Sequence, residues 1–135
     1  MTLSPAIWQP VLDRHASLFE ALEDGRSLAL LDKDTWDAGQ GEALHCKLEG
    51  GHMQARASAW EGAAKTDADM LFVGLRDSLD HLEQASPDAR MGALKDRIHQ
   101  GDVLFFVMRT KCTLIDAGWE DFLDSLGLAF MGACR

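Results

Sequence analysis

Two carboxylate-x-x-histidine pairs, Glu42-Ala43-Leu44-His45 and Asp96-Arg97-Ile98-His99, are the residues of this sequence best spaced for chemistry. On a helix, positions i and i+3 share a face, and di-iron helical bundles set such pairs beside inward-facing glutamates from two other helices. Cys46 and His52 flank Gly50-Gly51 near His45 and could begin a zinc site, yet no fourth ligand stands nearby. Glu42 would lie about 200° around a helix from Leu44. No acid falls on the apolar line of the last third of the chain, so both pairs are expected to face solvent. His15 sits on an apolar line and reads as a hydrogen-bonded core or boundary histidine. A cysteine–histidine nucleophile pair meeting only in space stays open. The sequence contains no GxGxxG, P-loop, GxSxG or HExxH. These observations predict no catalytic residue, no metal site and no cofactor.

The elements that would position any site are read from apolar spacing. Stepping three and four residues from Met91 meets Leu94, Ile98, Gly101, Phe105, Met108, Cys112, Ile115, Trp119, Phe122 and Leu126, while the charged residues fall off the line. Ser86-Pro87-Asp88 is a helix start, with a capping serine, proline at the first position and an acid at the positive dipole end. A helix from Pro87 to Leu126 would be about 60 Å long at 1.5 Å per residue. A compact chain of this size is about 35–40 Å across, so the molecule would be elongated. Gln100-Gly101-Asp102 reads equally well as a glycine C-cap followed by an aspartate N-cap, and the phase of the stripe across it favours continuity.

Upstream, Trp8, Leu12, His15, Phe19 and Leu22 suggest a first helix with Pro10 in its first turn. Asp34 is placed to cap a second, carrying Leu44, Leu48, Gly51, Ala55 and Ala59. Residues 44–57 also alternate around Gly50-Gly51 and read alternatively as a β-hairpin. Thr66-Asp67-Ala68-Asp69 would cap a further helix bearing Leu71, Leu75, Leu79 and Leu82. The fold class expected is therefore all-α: one domain over 1–135, an elongated antiparallel helical bundle or coiled-coil hairpin with a long C-terminal helix.

The chain has 135 residues, is 47% hydrophobic and carries a net charge of −9, with no separate basic block. Such a surface repels phosphate backbones and anionic lipid, which argues against nucleic acid and membrane as partners. The N-terminus lacks a basic n-region and an apolar h-region, and three cysteines without a CxxC suit a reducing, cytoplasmic setting.

The remaining signal is excess apolar surface. Val103, Leu104, Phe106 and Val107 would make the last helix greasy on nearly every side, implying a bundle centre or a second buried interface. The stretch "LEDGRSLALLDKDTWDAGQGEALHCKLEGG" resembles flagellar export chaperones of the FlgN/FliT type through Leu30-Leu31-Asp32, Trp36, Glu42, Leu44, Lys47 and Leu48. The long final helix, the length and the acidity also match, and Gly39, Gly41, Gly50 and Gly51 depart from the pattern. The resemblance implies a cytoplasmic protein-binding chaperone. Its last helix, here Cys112, Ile115, Trp119, Phe122 and Leu126, would clasp an amphipathic helix of a client protein. Two alternatives remain: a helical-bundle enzyme or metal/cofactor binder using His45, His52, His99 or the cysteines, and an obligate homo-oligomer whose apolar excess is a self-interface.

Overall fold

The computed structural model describes residues 3–128. Gly50 and Gly51 both take positive φ, 59° and 83°, as a two-residue type I′ hairpin turn requires. They join strand β2 (Gly41–Glu49) to β3 (His52–Trp60), antiparallel with Glu49 opposite His52. The hairpin that the sequence offered as a rival for residues 44–57 is the structure adopted. Strand β1 (Ser27–Asp32) pairs antiparallel with β2 and parallel with β4 (Met70–Gly74), and β5 (Val103–Val107) runs antiparallel to β4. The sheet order is β3-β2-β1-β4-β5.

Six helices complete the described chain: α1 (Pro5–Arg14), α2 (Lys33–Ala38), α3 (Arg76–Gln84), α4 (Pro87–Gln100), α5 (Lys111–Ala117) and α6 (Glu120–Ser125). A 3-10 turn, Ala16–Phe19, follows α1. Asp32, not Asp34, caps α2, accepting from the Thr35 amide at 2.7 Å. The segment after Lys65 is β4 followed by α3, so Leu71 lies on a strand while Leu79 and Leu82 lie on a helix.

The chain is thus mixed α/β, and the all-α elongated bundle is incorrect. Its long C-terminal helix is four elements. Helix α4 begins at Pro87, then ends at Gly101 with φ 84°, where the Asp102 amide reaches back to the Arg97 carbonyl at 3.0 Å. That bond and its left-handed glycine are a Schellman stop. Next come β5, α5 and, beyond left-handed Gly118 (φ 102°), α6. The stripe stayed in phase because Val103–Val107 is apolar at every position, and an unbroken apolar run satisfies any period. The resemblance to flagellar export chaperones fails on the same ground, since its signature residues occupy β1, α2 and β2.

The sheet separates two apolar clusters. Leu28, Leu30, Leu44, Cys46, Leu48, Met70 and Phe72 face the helices, meeting Trp8, Leu82, Leu94, Trp119 and Phe122 in the larger core. The reverse face carries Ala29, Leu31, Ala43, Trp60, Leu71 and Val73. It is covered by the 61–69 segment and by α2, whose Trp36 stacks on Phe106 at 5.1 Å. The outer edge of β3 is closed by a side chain: the Gln9 carboxamide donates to the Met53 carbonyl and accepts from the Ala55 amide, each at 2.8 Å. One amide thereby substitutes for a strand partner and blunts an edge that could template further pairing.

Candidate functional site

The carboxylate-histidine pairs do not form a site. Glu42 and His45 lie on β2, where residues three apart point to opposite faces of the sheet. His45 is on the reverse face, its Nε2 3.1 Å from Ser27 Oγ and 3.6 Å from Asp67 Oδ1. These are serine, histidine and aspartate, but both neighbours approach the same ring nitrogen. A relay needs the carboxylate on the other one. A hollow of about 230 Å³ opens beside them, lined also by Ser58, Glu61 and Lys65. His99 Nε2 lies 3.2 Å from the Leu126 carbonyl and ties α4 to the end of α6, while His52 begins β3 at the hairpin tip. Among the described residues no three histidine, cysteine or acidic side chains converge as metal ligands.

Desolvation by burial lowers the His45 pKa below its ordinary 6.5, against the pull of Asp67. The unfolded chain therefore takes up this proton first on acidification. Stability that is fully present above pH 6.5 is lost as pH falls through the folded pKa. His45→Gln should flatten that part of the pH–stability curve, read from urea midpoints at pH 7.5 and 5.5. An unchanged pH slope in the variant would refute it.

The five residues expected to clasp a client helix are distributed as follows. Cys112 and Ile115 are half-buried on α5. Trp119, Phe122 and Leu126 are buried, at 0%, 3% and 0% exposure. Trp119 packs edge-on against Phe19, and its indole N–H donates to Asp69 Oδ2 at 2.8 Å. The seam faces the protein's own sheet, where Phe122 lines an apolar cavity.

That cavity is the best candidate site. Leu28, Leu30, Leu44, Cys46 and Phe72 form its floor on the sheet. Trp8, Val11 and Leu12 of α1, Met91 and Leu94 of α4 and Phe122 of α6 form its roof. All are apolar or thiol, and the space left between them is about 40 Å³. Burial pushes the Cys46 thiol up to about 12, so it is no nucleophile or metal ligand at neutral pH. The site can exclude water and hold apolar groups; it offers nothing for acid–base work.

Polar contacts hold the roof in place. Arg90, buried on α4, donates to the carbonyls of Ile7 on α1 and of Leu82, Glu83 and Ala85 at the end of α3. Its guanidinium also lies 5.7 Å from the Trp8 ring centroid. Glu83 Oε2 accepts from Trp8 Nε1 and from the Ser4 amide, both at 2.9 Å. Sequence reading placed Trp8, Leu12, Leu44, Leu94 and Phe122 on apolar lines but did not bring them together. Each belongs to a different local pattern, and only the packing of helices on the sheet makes them neighbours. The signal available was the alternation of Leu28, Leu30, Leu44 and Cys46, which marks a strand face once the hairpin is accepted.

Among the described residues no helix is long and apolar enough to cross a membrane. No protein-family model and no curated protein matches the chain. The chain is similar to a crystal structure of sterol carrier protein 2, with 19% identity and a TM-score of 0.48 over 96% of this chain and 98% of the other. A solution structure of a conserved hypothetical protein from Thermus thermophilus, suggested to be a sterol carrier protein, aligns at 18% and 0.47 over 98% and 93%. A ubiquinone synthesis protein described as UbiJ-SCP2 aligns at 14% and 0.46 over 93% and 91%. None of these three structures is described as a flagellar export chaperone.

Proposed function

We propose that this protein binds a small apolar or amphiphilic molecule between its sheet and its helical layer, as a carrier or presenter of that molecule. The observation that carries the reading is the cavity floored by β1, β2 and β4 and roofed by α1, α4 and α6, with only apolar or thiol side chains around it. Ligand sites are concave and mostly apolar, and water has little to bond to here. The aligned structures are described as sterol carriers and a ubiquinone synthesis protein; their TM-scores are below 0.5, and the reading rests on the cavity alone. The cavity holds a space of about 40 Å³, too small for a molecule of lipid size. A ligand of lipid size enters only if the roof rises, and Met91 and Leu12, both half-buried, are the roof residues nearest solvent. A client helix docked on Trp119, Phe122 and Leu126 would need residues at 0%, 3% and 0% exposure to be uncovered.

The test is native mass spectrometry of the protein incubated with a total lipid extract, alongside thermal melts. One retained apolar molecule is expected, and at a hundredfold excess over Kd the ligand adds about 2.7 kcal/mol, a rise on the order of 8 °C in Tm. Cys46→Leu fills the void and should cut affinity at least tenfold while changing the ligand-free Tm by only a few degrees. Wild-type protein that retains nothing overturns the reading, and unaltered binding by Cys46→Leu places the ligand elsewhere.

One observation favours a second reading. Leu104 and Val107, on the outer strand β5, are 42% and 46% exposed, a place where another copy could pair. Light scattering should then show a dimer that Leu104→Lys converts to monomer with ligand binding intact.

A further inference from the structure

Leu12 lines two cavities at once. One is the apolar cavity of about 40 Å³, and the other is a groove of about 270 Å³ between the end of α1, the 3-10 turn and the β2–β3 hairpin tip. We infer that this groove is the doorway to the cavity, with Leu12 as its gate, and that the ligand is a single-chain amphiphile whose uncharged or cationic head stays in the groove. The inference rests on the cavity being the binding site and adds the route and the chemistry of the head.

Among the described residues, Leu12 is the one that lines both spaces. Leu12 is half-buried, and partly exposed side chains change rotamer in picoseconds to nanoseconds. The backbone beside it is pinned, because Gln9, one turn earlier on α1, holds the Met53 carbonyl and the Ala55 amide. A rotation of Leu12 can thus join the spaces at a fixed frame. The groove has two characters. Ala16, Phe19 and Met53 give it an apolar side continuous with the core, while Asp13 and His52 are exposed at its rim. Among the described residues, Asp13 is the one acidic or basic side chain lining it besides His52. In a chain of net charge −9, a carboxylate head would meet repulsion there and an ammonium or hydroxyl head would not.

The experiment is stopped-flow binding of the neutral dye N-phenyl-1-naphthylamine to the full chain, with the melting temperature of each variant measured in parallel. Leu12→Ala should raise the association rate at least tenfold, and Leu12→Trp should lower it at least tenfold, with smaller changes in equilibrium affinity. His52→Trp, which thickens the rim without touching the core, should also slow association. In dye displacement, dodecylamine should act at a lower concentration than dodecanoate, and Asp13→Asn should erase the difference. If wild type binds no dye, the cavity reading falls and the doorway with it. If wild type binds and Cys46→Leu abolishes binding, yet the Leu12 and His52 variants keep wild-type rates, the cavity reading stands and the doorway is overturned. Equal displacement by the two dodecyl compounds overturns the assignment of the head.

Discussion

Trp119→Ala should cost about 5 kcal/mol, through loss of a fully buried aromatic and of a buried hydrogen bond. Trp119 is wholly enclosed and touches Phe19 at 6.5 Å and Phe122 at 5.6 Å between ring centroids. Its indole N–H is a partner of Asp69, which is itself 2% exposed and lies 3.4 Å from Arg26 and 3.6 Å from Arg109. The Asp69 amide donates to Ser27 and its carbonyl accepts from Met108, so this residue also stitches β1 to β5. Removing the indole opens a cavity in the core and strips one partner from a buried carboxylate. Small domains are stable by only about 5–15 kcal/mol, so the variant should lose most of its margin or unfold outright. Trp119→Phe keeps most of the bulk and loses the N–H, and should cost about 1–3 kcal/mol. Urea denaturation of the two variants measures both, and an alanine variant within about 1 kcal/mol of wild type would contradict the packing described.

Gly118→Ala should be nearly as damaging for a different reason. Gly118 ends α5 at φ 102°, and a Cβ there would stand 2.1 Å from the Ala21 carbonyl oxygen and 2.8 Å from the Leu22 Cα. Those atoms are backbone, tied down by the Glu23 amide donating to the Ala117 carbonyl at 2.8 Å. Strain in the left-handed region and overpacking together should cost about 4 kcal/mol. Gly50→Ala is the control, because Gly50 also has positive φ but nothing within 4 Å of its Cβ position. It should cost only about 1 kcal/mol. Equal midpoints for the two variants in urea would show that close approach of the chain at Gly118 is not what the glycine serves.

Glycines elsewhere in the chain show why the candidate site was illegible while much of the local structure was not. Gly101 was read as a C-cap or a helix interior, and Gly50-Gly51 as a hairpin or a helix interior. In both cases the backbone takes the turn; at Gly101 an in-phase stripe argues against it, and at Gly50-Gly51 alternating positions rich in alanine rather than β-branched residues do. The stripe misled at Val103–Val107, where every side chain is apolar and period carries no information. Lys47 and Leu48 seemed helical for a related reason: β2 has Leu44, Cys46 and Leu48 facing the core at spacing two, and Leu44 and Leu48 alone also fit spacing four.

The sequence by itself determined the start of α4 and offered its stop and the hairpin turn as alternatives. Ser86-Pro87 opens α4, Gly101 closes it, and Gly50-Gly51 turns the chain, because each depends on the dihedral preferences of residues that adjoin one another. It also determined that nearly half the residues seek burial. Only the tertiary structure decided that residues 103–107 extend rather than coil, since that outcome requires the distant strand β4 to supply the backbone partners. The same holds for the site: Trp8, Leu44, Cys46, Met91 and Phe122 share a cavity because three helices lie across one face of a sheet. Burial of Trp119 was decided likewise, by Asp69 waiting across the fold for its N–H. Contacts between distant residues follow from how the layers stack, and no local preference encodes that.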